Sequence, residues 1–167
     1  MNKGYALLPG SYDPMTLGHL DVVRRASGIF ERVFVALLIN PQKKYTFSKE
    51  DRIKIATLTC AELSNVTVVY SDGYTADLAS ELGCSVIVKG IRNSADFEYE
   101  VPMAHSNSER VKGLETMFLP AKDELCDVSS TLVRELLSKG ALAEAGKYLH
   151  SSVTSALISG EITYEID

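Results

Sequence analysis

Ten residues near the N-terminus, Gly10-Ser11-Tyr12-Asp13-Pro14-Met15-Thr16-Leu17-Gly18-His19, bring together the groups that hold a phosphate ester. Gly10 lets the backbone pass close to a ligand, and Ser11 offers a hydroxyl and an amide donor. Thr16 to His19 opens a helix, where free amides and the helix dipole favour an anion, and Gly18 leaves room above the first turn. His19 can then donate a hydrogen bond to a phosphoryl oxygen as charge develops on it. A lone histidine there would more readily be a cap; the whole constellation reverses that reading. A second helix start of the same kind follows at Val128-Ser129-Ser130-Thr131-Leu132-Val133-Arg134. Its small hydroxyl residues serve equally as caps and as phosphate donors.

Such residues need strands and helices to aim them. Continuous apolar runs at Tyr5–Leu8, Arg32–Ile39, Val66–Tyr70, Ser85–Val88 and Thr116–Leu119 predict strands covered on both faces, as in a parallel sheet. Between them, Leu20, Val23, Ala26, Ile29 and Phe30 share one helical face. Ser48 caps a second helix with an acidic first turn and an apolar stripe of Ile53, Ala56, Leu58 and Leu63. Thr75–Leu82 is a third, closed by Gly83, and Ser94–Arg110 a fourth, in which Pro102 predicts a kink or break. Short helices over Thr131–Ser138, Leu142–Tyr148 and Ser151–Leu157 end the chain. The pattern predicts an α/β fold: a single-domain, Rossmann-like parallel five-stranded sheet with helices on both faces and a helical C-terminal end. Ligands of open parallel sheets lie beyond the carboxyl ends of the strands, and Gly10 to His19 falls there. Neither a Gly-x-Gly-x-x-Gly fingerprint nor a P-loop occurs, which argues against a dinucleotide oxidoreductase and a P-loop ATPase.

Bulk properties narrow the class. The 167 residues, 46% hydrophobic and 23% charged, describe an ordinary globular chain. A formal charge of −5 argues against a nucleic-acid partner, while a few local cations suffice for a small anionic ligand. The longest apolar runs, such as Val33 to Ile39, are too short to cross a bilayer, and Met1 to Tyr5 carries no leader pattern. Cys60, Cys84 and Cys126 are odd in number and far apart, without metal-ligand spacing, as expected of reduced thiols in a cytoplasmic protein.

Gly-Ser-Tyr-Asp-Pro-x-Thr-x-Gly-His resembles the signature of adenylyltransferases with a Thr/His-x-Gly-His motif, and Val128 to Arg134 resembles their second signature. Together with Asn40-Pro41-Gln42-Lys43-Lys44, Lys89-Gly90-Ile91-Arg92 and Asp96-Phe97-Glu98-Tyr99-Glu100, the chain is similar over nearly its whole length to bacterial phosphopantetheine adenylyltransferases. The resemblance implies transfer of an adenylyl group from ATP to 4′-phosphopantetheine in coenzyme A biosynthesis. Magnesium would accompany the nucleotide, the assembly would be a homohexamer, and coenzyme A would bind in feedback. It also implies that His19, Lys43 and Arg92 are catalytic, and that Ser11, His19, Arg92 and Glu100 face ATP. Tyr12, Gly90, Ile91, Leu125, Cys126, Asp127, Val128, Ser129, Ser130 and Thr131 would complete the nucleotide's surround. Ser11, Lys43, Thr75 and Lys89 would face phosphopantetheine, with Asn107 and Glu135 near its arm. No protein metal ligand is implied.

Four positions depart from the family pattern: Ser11 for threonine, Lys89 for arginine, Pro102 for a polar helix former, and Leu125-Cys126-Asp127 without aromatic residues. Lys89 keeps the charge and loses the bidentate fork. Two rival readings stand beside this one. One is a sister enzyme acting on nicotinate mononucleotide or glycerol phosphate; the other is a non-catalytic nucleotide-binding module.

Overall fold

A computed structural model of the chain describes residues 4–40 and 43–165. Five strands, β1 (Tyr5–Gly10), β2 (Arg32–Leu38), β3 (Val66–Ser71), β4 (Val86–Ile91) and β5 (Glu115–Pro120), form one parallel sheet in the order β3-β2-β1-β4-β5. Helices α1 (Leu17–Ile29), α2 (Lys49–Cys60), α3 (Thr75–Glu81) and α4 (Ser94–Arg110) make the crossovers. Helices α5 (Ser130–Ser138), α6 (Leu142–Ala145) and α7 (Ser151–Ile158) follow the last strand. The α/β, Rossmann-like, five-stranded architecture matches the sequence expectation.

The sheet separates two cores by the alternation of side chains along each strand. Ala6, Leu8, Val33, Val35, Leu37 and Val88 point to the face covered by Val23 and Ala26 of α1, Ile55 and Ala56 of α2, and the C-terminal helices. Leu7, Phe34, Ala36 and Ile87 point the other way, onto Ala76 and Ala79 of α3. Central β1 and β2 are almost fully buried, while the edge strands β3 and β5 are only half-buried. Burial pushes the Cys60 and Cys84 thiols up to about 11, so both stay protonated and inert, and all three cysteines are free.

The chain reverses direction across the sheet between β1 and β4. There β1 stays in register with β2 from Tyr5 through Gly10, but with β4 only at Ala6 and Leu7. Beyond Leu7 the two strands part at their carboxyl ends, and that divergence opens the crevice in which the site lies. Both strands run further than the apolar runs indicate, to Gly10 and Ile91, because backbone pairing continues where the side chains turn polar.

Four local expectations are modified by the structure. Helix α4 runs through Pro102 without a break; the helix buries none of its residues, so the orphaned Glu98 carbonyl meets solvent. Ile29 lies 44% exposed at the end of α1, past the last turn that faces the sheet. The face that α2 buries fully is Arg52, Ile55, Ala56, Thr59 and Cys60, with two polar members; of the expected stripe Ala56 belongs to it, and Ile53, Leu58 and Leu63 are partly buried against the same core. Leu142–Tyr148 divides into α6 and a 3₁₀ turn at Gly146–Tyr148.

Candidate active site

A cleft of ≈ 570 Å³ opens at the crevice, lined among others by Gly18, His19, Lys43, Gly90, Arg92 and Thr131. Helix α1 aims His19 into it. Thr16 is the N-cap, and His19 stands in the third helical position, where a capping box usually places Glu or Gln. The Thr16 amide donates to His19 Nδ1 at 3.0 Å, and the Thr16 hydroxyl lies 2.9 Å from the same nitrogen. An amide can only donate, so Nδ1 carries the lone pair and Nε2 carries the proton. His19 is thus a neutral donor fixed in one tautomer. Burial, and then the charges of Arg92 and Lys89, hold its pKa down to about 4. The cap and the ligand donor are two nitrogens of one ring.

Tyr12 supports the ring from behind. It adopts φ +46°, buries its side chain, donates its hydroxyl to Leu8 O at 2.8 Å, and packs edge-on against His19 with centroids 5.1 Å apart. Gly10 belongs to this arrangement: a Cβ there would stand 3.0 Å from the Tyr12 ring. The missing side chain makes room for Tyr12, a use that the sequence reading assigned to a ligand.

Opposite, β4 and α4 supply charges already in pairs. Arg92 grips Asp96 with Nε at 2.9 Å and Nη2 at 3.0 Å, and the Arg92 amide donates to the same carboxylate at 3.0 Å. These bonds hold the Asp96 carboxyl below its usual range and the Arg92 guanidinium above its own. Lys89 Nζ lies 3.0 Å from Glu100 Oε1 and 3.4 Å from Pro9 O, bridging the gap between β4 and β1. Lys43 Nζ donates to Ser11 Oγ at 3.4 Å. Surface ion pairs of the Arg92–Asp96 kind are worth about 0–1 kcal/mol, so a polyphosphate can displace the carboxylate.

The second motif welds itself to the first. Ser129 caps α5 by accepting from the Leu132 amide at 3.1 Å. Ser130 Oγ donates to Pro14 O and Arg134 Nη1 to Asp13 O, both at 2.7 Å. Asp13 in turn accepts from the Phe47 amide at 2.9 Å and the Thr46 amide at 3.0 Å. Three loops therefore converge on one frame: the turn after β1, the segment after β2, and the start of α5.

Comparison with known proteins agrees with this geometry. The Cytidylyltransferase-like family matches residues 7–136. A Finegoldia magna phosphopantetheine adenylyltransferase is 45% identical over 141 residues, 84% of this chain and 87% of that one. A Pseudarthrobacter chlorophenolicus protein of the same name is 42% identical over 93% of both chains. The chain belongs to the phosphopantetheine adenylyltransferase family. At the level of fold alone, it superposes on a Vibrio parahaemolyticus structure described as a candidate nicotinate-nucleotide adenylyltransferase, with TM-score 0.68 and 22% identity over 93% of this chain and 91% of the other.

Of the residues that the family resemblance points to, the cleft gathers His19, Lys43, Gly90, Arg92, Glu100, Leu125, Val128, Ser129, Ser130 and Thr131. Ser11 and Lys89 adjoin it through Lys43 and Glu100. Tyr12, Ile91, Cys126 and Asp127 do not line it, and neither do Thr75, Asn107 and Glu135. Thr75 is the first residue of α3, behind an N-cap at Tyr74, and does not cap it. Pro41 and Gln42 lie outside the described residues. Asp13, Asp96 and Arg134 were not singled out as site residues, although each sits inside a quoted motif.

Proposed function

We propose that this phosphopantetheine adenylyltransferase family member transfers the adenylyl group of ATP to 4′-phosphopantetheine, giving dephospho-coenzyme A and pyrophosphate. The observation that carries the reading is a neutral, tautomer-fixed His19 facing Lys43 and Arg92 across the β1–β4 crevice. An oxygen of the acceptor phosphate attacks the α-phosphorus of ATP, and the bond from that phosphorus to the bridging oxygen breaks to release pyrophosphate. A phosphate monoester with a second pKa of about 6 is already a dianion near neutral pH, so no general base is required. Catalysis then rests on bringing two anions into line and on neutralising the α-phosphate as charge gathers there.

His19 Nε2–H donates to a non-bridging α-phosphate oxygen, and a neutral donor suits this task because it gives a hydrogen bond without losing its proton. Lys43, with Ser11 beside it, holds the nucleophilic phosphate; Arg92 leaves Asp96 to hold the β- and γ-phosphates. Glu100, Gly90, Ile91 and the Leu125–Thr131 segment surround the nucleotide. Tyr12 contributes by steadying His19. Lys89 carries its charge toward the acceptor, and its pairing with Glu100 couples the two halves of the site. Thr75 would meet the far end of the pantetheine arm, outside the cleft. Magnesium would arrive as MgATP, on the triphosphate's own oxygens; among the described residues no group of three or more His, Cys, Asp or Glu could hold an ion.

Incubation with MgATP and 4′-phosphopantetheine should release pyrophosphate and a product of dephospho-coenzyme A mass. Nicotinate mononucleotide and glycerol phosphate should give none, and turnover on either in preference would replace this reading with a sister activity. His19→Ala should lose ~10²–10³ in turnover while ATP binding changes little. Wild-type turnover at saturating substrates would remove His19 from the mechanism. We further infer from the resemblance a cytoplasmic homohexamer with feedback binding of coenzyme A. Exposed Phe97, Tyr99 and Met103 on α4 are in keeping with an assembled chain, and sedimentation at the mass of one chain would refute it.

A further inference from the structure

The most unusual side chain in the molecule belongs to none of the family motifs. Arg52, on α2, is 1% exposed and is the largest fully buried side chain among the described residues. It makes no ion pair there, and its Nε has no hydrogen-bond partner. A buried, unpaired charge is costly to fold, and an apolar residue of similar volume would serve the core as well or better. The polar and ring contacts of its guanidinium run to one place. Nη1 donates to Ser11 O at 2.9 Å, and the guanidinium lies 3.9 Å from the centre of the Tyr45 ring. Tyr45 accepts from the Asn40 amide at 2.8 Å, and Lys43 Nζ lies 5.7 Å from the centre of the same ring. Lys43 reaches back to Ser11 Oγ.

We propose that Arg52 is a positioning residue for the acceptor: one buried guanidinium fixes Ser11 on the β1 turn and, through Tyr45, the Lys43 segment after β2. The two groups assigned to the acceptor phosphate thus sit on loops from different strands with a shared support beneath them. Asp13 joins the same two loops through amides at Thr46 and Phe47, which sets the path of the backbone. Arg52 adds a second tie between the same loops: it bonds the backbone carbonyl of Ser11 and lies under the Tyr45 ring that flanks Lys43. Ser11 is also assigned to the nucleotide, but the other nucleotide contacts do not run through Arg52. Arg92, Glu100 and Thr131 come from the turn after β4, from α4 and from α5, and Arg52 bonds to none of them. The effect of removing it should therefore fall mainly on the acceptor, which alone is assigned both Ser11 and Lys43.

The inference rests on the proposed function, and the assay separates the two. Absence of wild-type turnover with MgATP and 4′-phosphopantetheine defeats the reading of function. Given wild-type turnover, Arg52→Met and Arg52→Lys test the inference itself. In Arg52→Met the KM for 4′-phosphopantetheine should rise by about tenfold or more, while the KM for ATP stays within about twofold. Its melting temperature should equal or exceed that of the wild type, since a buried charge has been exchanged for apolar volume. Arg52→Lys keeps a cation under the Tyr45 ring and should fall between the two. An unchanged acceptor KM, or both KM values rising together, would overturn the proposal. So would a variant Arg52→Met that unfolds or melts well below the wild type, which would make Arg52 a structural residue.

Discussion

At the scale of single residues, His19 shows how one side chain does two tasks. Its Nδ1 closes the helix cap with Thr16, and its Nε2 is left for the cleft. The sequence offers cap and phosphate donor as competing readings; the structure shows the cap at Nδ1, which leaves Nε2 for the proposed donor role. The same burial has a consequence for stability. An unfolded chain takes up a proton on this histidine near pH 6.5, whereas the folded chain does so only near pH 4. The stabilisation is therefore complete above 6.5 and is lost as pH falls through that window, because the unfolded state then binds the extra proton. Melting temperature should fall more steeply between pH 6.5 and 4 in the wild type than in His19→Gln. Parallel slopes would mean that His19 titrates normally in the fold. Where chemistry and motif coincide, as at His19, Lys43 and Arg92, the sequence points to residues that line one cleft. Arg52 was not legible, because a stripe that reads Arg52, Ile55, Ala56, Thr59, Cys60 looks polar at two of five positions, and only the packed core shows that it faces inward.

Among the elements, α1 and β4 meet more closely than side chains ordinarily allow. A Cβ on Gly90 would stand 2.8 Å from Val22 Cγ2, so the glycine sets how near the helix carrying His19 lies to the strand that carries Lys89 and leads into Arg92. Val22 is β-branched and buried and has little freedom to turn away. Gly90→Ala should cost about 1–3 kcal/mol, the usual range for overpacking. At about 2–4 °C per kcal/mol for a chain of this size, calorimetry should show the loss. Adding Val22→Ala should recover part of it, and strict additivity of the two changes would exclude a direct clash. From the sequence, Gly90 stood only as part of a motif beside Ile91 and Arg92. Its packing role was hidden because the apolar run ends at Val88 while the strand continues to Ile91. Helix α4 failed in the opposite sense: Pro102 breaks the propensity rule, and an exposed helix tolerates the lost hydrogen bond.

For the whole molecule, the alternation of strands and helices made the fold class legible, but the order β3-β2-β1-β4-β5 was not, because apolar runs carry no record of which strand neighbours which. That order decides the function's location: it puts the reversal between β1 and β4, where register survives for only Ala6 and Leu7. A ligand in the resulting crevice touches both halves of the sheet at once, and its binding should therefore stabilise the chain as a unit. The net charge of −5 is no obstacle, since the crevice has its own cations, Arg92 and Lys89, paired locally with Asp96 and Glu100. At about 100 times its Kd, MgATP should add ~2.7 kcal/mol, which is about 5–11 °C in melting temperature for a chain of this size. Arg92→Ala should abolish most of that shift, because it removes the contact proposed for the β- and γ-phosphates. Arg52→Met should leave it intact, because Arg52 serves the other substrate. A wild-type shift that survives in Arg92→Ala and vanishes in Arg52→Met would reverse the assignment of the two sides, and would place ATP over Ser11 and Lys43 instead.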